Sequence, residues 1–168
     1  MRDIARFSFV LFLVCLISAG FLALIFKITE PRIIEQRRLA EKRAIEEVLP
    51  FAPETIEKIE NNDLVFYEAK DSKGNLIAYV FITQARGYSS DDIRTVVSLN
   101  PGGDIIAAKI LEHRETPGIG TRIEDDQFLA QFKDKNISEQ FDTITGATVS
   151  SGAVINSIRQ KAQEILRR

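Results

Sequence analysis

Two short stretches of this 168-residue chain carry side chains with chemistry to offer. The first is Asp142-Thr143-Ile144-Thr145-Gly146-Ala147-Thr148, followed by Val149-Ser150-Ser151-Gly152 and then a helical pattern. Small residues and hydroxyls at the start of a helix leave backbone N–H groups open at the positive end of the dipole, which is a seat for a phosphate. The same composition also serves as a cap, because Thr143, Thr145, Ser150 and Ser151 each carry an oxygen able to accept from first-turn N–H groups. An unactivated threonine hydroxyl is a poor nucleophile. Nothing in threonine chemistry predicts a covalent bond here.

The second stretch is His113-Arg114-Glu115-Thr116-Pro117-Gly118-Ile119-Gly120. A Pro-Gly-x-Gly segment turns the chain tightly, and its glycines also let backbone lie flat against a ring whose edge meets backbone N–H and C=O groups. His113 is the only histidine and can change charge near neutral pH. Its plainer reading is a strand-end residue hydrogen-bonded to its surroundings.

Taken together, the two stretches resemble the Asp-x-x-(Ser/Thr)-Gly-Ala-Thr acceptor motif and the Glu-Thr-Pro-Gly-(Leu/Ile)-Gly loop of the FMN-binding domain family. That family is shared by the G subunit of the Rnf electron-transport complex and the C subunit of the sodium-translocating NADH:quinone reductase. The resemblance covers Leu76 to Ser157 by motif and the whole chain by layout. It implies that a flavin transferase joins FMN through its phosphate to Thr148, with Thr145, Gly146, Ala147 and Val149 beside the attachment point. It further implies that Glu115, Thr116, Gly118 and Ile119 pack against the flavin and that Asp142 serves recognition by the transferase. One departure is visible: the family's Gly-Tyr-x-Gly-x-Ile turn reads Gly87-Tyr88-Ser89-Ser90-Asp91-Asp92-Ile93 here, so its second glycine has no counterpart.

The elements that must position these residues begin with an uncharged run from Phe7 to Phe26, the roughly 20-residue length a helix needs to cross a bilayer. Arg2, Arg6 and the small Ser18-Ala19-Gly20 also suit a signal peptide, but the apolar stretch continues through Phe26, longer than a signal core. Val14 before Cys15 does not suit a lipoprotein site. Lys27, Arg32, Arg37, Arg38, Lys42 and Arg43 follow the span, against Arg2 and Arg6 before it, so counting positive charge would leave the C-terminal domain in the cytoplasm. The family resemblance implies the opposite: a single-pass protein of the cytoplasmic membrane with its flavin domain on the extracytoplasmic side. The motif match is more specific than a charge bias, so the expected topology follows it.

Ile33 to Leu49, rich in Glu, Arg, Ala and Leu, reads as a stalk helix stopped by Pro50 and Pro53. Leu64–Ala69 and Leu76–Ile82 flank Asp71-Ser-Lys-Gly-Asn75 as one β-hairpin, and Ile93–Leu99 and Ile105–Leu111 flank Asn100-Pro-Gly-Gly-Asp104 as a second. Asp125 to Phe132 suggests a short helix. Val149 to Leu166 suggests a longer one, with Val154, Ile158, Ala162 and Ile165 on one face. Hairpins followed by helices predict an α+β domain with an antiparallel sheet. The expected division is an anchor over 1–29, a stalk over 30–50 and an FMN-binding domain over 51–168.

Composition narrows the function. Acidic residues outnumber basic ones from residue 51 onward, which leaves no basic footprint for nucleic acid. One Cys and one His exclude an intrachain disulfide, a cysteine-ligated cluster and a histidine-rich metal site. The expected function is a membrane-anchored electron carrier with covalent FMN, working beside the other membrane subunits of an Rnf-type complex that couples ferredoxin and NAD to ion movement, with no acid–base residue of its own. The alternatives are a component of the related quinone reductase, a stand-alone membrane flavin reductase, and a flavin-free anchoring or phosphate-sensing protein.

Overall fold

The computed structural model describes residues 2–49, 53–61 and 64–167. The chain forms two compact units, Met1–Ala40 and Glu41–Arg168. The first is the bulk of helix α1 (Arg2–Glu47), which carries both the apolar run and the stalk sequence without interruption. It is the one helix among the described residues long and apolar enough to cross a membrane. Pro31 lies inside it and cannot donate to the carbonyl of Lys27. Two residues earlier the Thr29 hydroxyl donates to the carbonyls of Ile25 (2.9 Å) and Phe26 (3.2 Å). Pro50, expected to stop the stalk, lies outside the described residues.

The second unit is a five-stranded antiparallel meander in the order β1 (Thr55–Asn61), β2 (Leu64–Lys70), β3 (Leu76–Arg86), β4 (Asp92–Leu99), β5 (Ile105–Glu112). A 3₁₀ turn (Gly120–Glu124) and the short helix α2 (Asp126–Ala130) follow, and α3 (Thr148–Leu166) closes the chain. The expected α+β class, both hairpins and both helices are present. β1 was not expected: its Thr-Ile-Glu-Lys-Ile-Glu-Asn sequence is mostly exposed, as suits a charged edge strand.

Alternation along β3 and β4 divides the sheet's faces. Phe81, Val97 and Leu99 face a core with Val154, Ile158, Ala162 and Ile165 of α3, together with Phe128, Phe132 and Phe141. Those four α3 residues are 0–3% exposed, so the apolar stripe legible in the sequence is the face that docks. Ala78, Val80 and Val96 face the other way, onto Ala44, Ile45, Val48 and Leu49 from the end of α1 and the residues after it. The last turn of the stalk is therefore part of the globular unit. Glu41 pairs with Arg94, Glu47 with Lys109, and the Ser98 hydroxyl donates to the Val48 carbonyl.

Candidate functional site

Helix α3 begins at Thr148, and its cap residue is Ala147, which offers no side-chain acceptor. Neither Thr143, Thr145, Ser150 nor Ser151 caps the helix. The Ser151 hydroxyl instead donates back to the Ala147 carbonyl (2.8 Å) and accepts from the Ile144 N–H (3.0 Å). The first intrahelical bond of this end is Ser151 N–H to Ala147 O (2.9 Å). The N–H groups of the first turn therefore carry no side-chain cap, which leaves the positive end of the helix dipole available to an anion. Thr148 is exposed, and its hydroxyl makes a long 3.4 Å contact to the Ile144 carbonyl. Gly146, at φ +87°, supplies the left-handed turn that brings the chain into the helix.

A cavity of about 560 Å³ opens beside this start, lined by Tyr88, Glu115, Thr116, Ile119, Gly120 and the segment Gly146–Ser150. Its volume falls in the range of small-molecule sites. Of the four large hydrophobic side chains exposed among the described residues of the globular unit, three stand at its rim: Tyr88 (78% exposed), Ile119 (53%) and Val149 (57%). Apolar surface concentrated at one cavity marks a ligand or partner site.

Glu115 forms the buried wall, 5% exposed. One carboxylate oxygen accepts from the Ser89 N–H (3.1 Å) and the other from the Ser150 hydroxyl (2.7 Å). Its carboxylate is thus taken up in joining the turn after β3, the loop after β5 and the first turn of α3. Two glycines make room for it. A Cβ on Gly87 would lie 2.3 Å from a Glu115 carboxylate oxygen, and one on Gly120 would lie 2.7 Å from its Cβ. His113 stands behind the wall: its Nδ1 accepts from the Glu115 N–H (3.1 Å), so Nε2 carries the proton and faces Glu124 (3.0 Å). It does not line the cavity.

Of the residues singled out from the sequence, Glu115, Thr116, Ile119, Gly146, Ala147, Thr148 and Val149 therefore share one cavity. Gly118 does not line it; at φ +76° its N–H donates to the Thr121 hydroxyl (3.0 Å) and a Cβ there would meet open space. Asp142 and Thr145 lie on the far side of the acceptor loop, in a second cavity of about 300 Å³ with Arg122, Asp125 and Gln131. The cavity also takes in three residues not assigned to the site from the sequence: Tyr88 of the turn before β4, Gly120 of the Pro-Gly-Ile-Gly loop and Ser150, there a cap candidate.

The residues present fit a flavin nucleotide. The apolar rim suits an aromatic ring, the uncapped helix start suits a phosphate, and the two glycines hold the wall open. Residues 87–163 match the model of the FMN-binding domain and residues 1–48 match that of the RnfG N-terminal region. The chain is 30% identical over 163 residues, 90% of its length, to the G subunit of the proton-translocating ferredoxin:NAD(+) oxidoreductase complex of Clostridium ljungdahlii, covering 85% of that protein. The chain belongs to the RnfG family. A second member, the G subunit of the ion-translocating oxidoreductase complex of Haemophilus influenzae, is 33% identical over 113 residues; the match spans 58% of this chain and about half (54%) of that one. The RnfG fold is shared by the C subunit of the Na(+)-translocating NADH-quinone reductase of Parabacteroides distasonis, with a TM-score of 0.59 at 17% identity over 80% of this chain and 94% of that one.

Proposed function

We propose that this chain is a membrane-anchored electron-transfer subunit of an Rnf-type ion-translocating ferredoxin:NAD oxidoreductase complex, carrying FMN joined through its phosphate to Thr148. The observation that carries this reading is the position of the acceptor motif: Thr148 is the exposed first residue of an uncapped helix, at the lip of a cavity built from the second motif. When bound, a flavin supplies one-electron redox chemistry. The chain's own residues hold and shield it. Ile119, Val149 and Tyr88 would offer apolar surface to the ring, Thr116 of the same cavity would offer a hydroxyl, and Glu115 keeps the walls together.

Attachment is the work of a separate flavin transferase with a flavin dinucleotide as donor. The Thr148 hydroxyl oxygen forms a bond to the flavin-side phosphorus, the pyrophosphate P–O bond breaks, adenylate leaves, and the hydroxyl proton passes to a base of the transferase. Asp142, exposed on the second cavity, is the recognition residue. Helix α1 anchors the chain beside the other membrane subunits, with the flavin domain on the extracytoplasmic side. Functionally the chain divides into anchor 1–29, stalk 30–50 and flavin domain 51–168.

Co-expression with a flavin transferase, followed by intact mass and peptide fragmentation, tests the central claim. The unmodified sequence gains one FMN phosphoryl mass on Thr148, and Thr148→Ala gains none. Label on Thr143, Thr145, Ser150 or Ser151, or label persisting in Thr148→Ala, refutes the assignment.

A further inference from the structure

The segment Asp142–Gly146 leads into Thr148 with little packing of its own: Asp142, Thr143, Thr145 and Gly146 are exposed or nearly so, and Ile144 packs partly buried against the core. It is nonetheless fixed in place. The strongest attachment from outside the segment and its helix is Gln131, whose carboxamide holds both backbone groups of Asp142, accepting from its N–H (2.8 Å) and donating to its carbonyl (3.1 Å). Arg122 donates to the Thr145 carbonyl at 3.3 Å but is shared with Asp125 at 3.7 Å.

Gln131 is itself held by the core. It follows α2, and the next residue, Phe132, is fully buried and packs on Phe141 with ring centroids 4.9 Å apart. That aromatic contact sets residue 131 beside residue 142. A side-chain amide that pairs with both the N–H and the C=O of one residue mimics a neighbouring strand and fixes that residue's orientation as well as its position.

We propose that Gln131 is a positioning residue for flavin attachment: by clamping Asp142 it presents the acceptor segment to the flavin transferase in one conformation. The inference rests on the reading of Thr148 as the attachment point. Gln131 takes no part in the transfer itself, in which the Thr148 oxygen gains phosphorus from a flavin dinucleotide and adenylate departs. It acts by sparing the transferase the ordering of a loose segment, because a protein that populates its binding-competent form only in part binds more weakly by that fraction.

The test uses the full chain in detergent with a purified flavin transferase and FAD, following label by intact mass over time. With Gln131→Ala, attachment slows by roughly tenfold at subsaturating transferase and recovers toward the parental rate at saturation, the mark of a lost pre-organised form. The Asp142 amide exchanges faster with solvent, and the unfolding midpoint moves little. Gln131→Glu still accepts from the Asp142 N–H but cannot donate to its carbonyl, so it falls between the two; should Gln131→Ala fail to fold, this variant decides. Parental rates in a folded Gln131→Ala or in Gln131→Glu, with label on Thr148, overturn the proposal and leave the attachment reading intact. Absence of label on Thr148 in the parent chain overturns both.

Discussion

Replacing Glu115 separates its work as a structural tie from any work as a charge. The carboxylate accepts from the Ser89 N–H at 3.1 Å and the Ser150 hydroxyl at 2.7 Å, and Ser150 is only 1% exposed. Hydrogen bonds to a charged group contribute about 1.5–3 kcal/mol each. Glu115→Ala deletes both and strands the Ser150 hydroxyl, while water entering from the cavity recovers part of the loss, so the expected cost is about 3 kcal/mol. Glu115→Gln keeps the shape: its carbonyl oxygen accepts from Ser89, its amide donates to the Ser150 oxygen, and the cost falls to about 1 kcal/mol or less.

Scanning calorimetry of the full chain in detergent measures the difference, with Glu115→Ala unfolding about 10 °C below the parent and Glu115→Gln within a few degrees of it. Combining Glu115→Ala with Ser150→Ala should cost less than the sum of the two, because the second change removes the stranded hydroxyl. Equal losses in Glu115→Gln and Glu115→Ala would show that charge holds the site. A loss below about 1 kcal/mol in Glu115→Ala would show that the three segments are joined some other way.

Gly120→Ala sets a methyl group 2.7 Å from the Glu115 Cβ and 2.8 Å from its carboxylate, so it should disturb the wall and change the absorption spectrum of bound flavin. Gly118→Ala meets open space, and its effect should be confined to about 1 kcal/mol of left-handed backbone strain with the spectrum unchanged. The Asp104 carboxyl is held below its usual range by hydrogen bonds from Asn136 and then Asn100. Its contribution is full above the unfolded carboxylate value and is lost as pH falls through the lower folded value. Thermal unfolding of Asp104→Asn followed into acid should therefore fall less steeply than that of the parent. A periplasm-active reporter fused to the C-terminus should be active; activity of a cytoplasm-only reporter instead would favour the positive-charge count.

Local chemistry was legible in the sequence and long-range chemistry was not. The hairpins announced themselves through Asp71-Ser-Lys-Gly-Asn75 and Asn100-Pro-Gly-Gly-Asp104, whose side chains bond their own turns; Asp71 accepts from the N–H groups of Lys73 and Asn75, both at 2.8 Å. The docking face of α3 was legible because helical periodicity survives packing. β1 was not, since an edge strand needs backbone pairing rather than alternating apolar side chains, and Ile56 and Ile59 are three residues apart. In the site, both motifs could be read, but the burial of the Glu115 carboxylate between Ser89 and Ser150 joins positions 26 and 35 residues away. The hold of Gln131 on Asp142 depends on an aromatic contact that no spacing rule encodes.

Every strand of the meander pairs with its neighbour in the chain. Such contacts close short loops at little entropic cost, whereas α3 must return across β3 and β4, from which a long stretch of chain separates it. The acceptor segment is held by Ser151 within α3 and by Gln131 beyond α2, so its geometry is complete only when α3 is docked. On the proposed attachment at Thr148, a transferase that reads this geometry would also read the history of the chain, and its label would mark molecules that have finished folding.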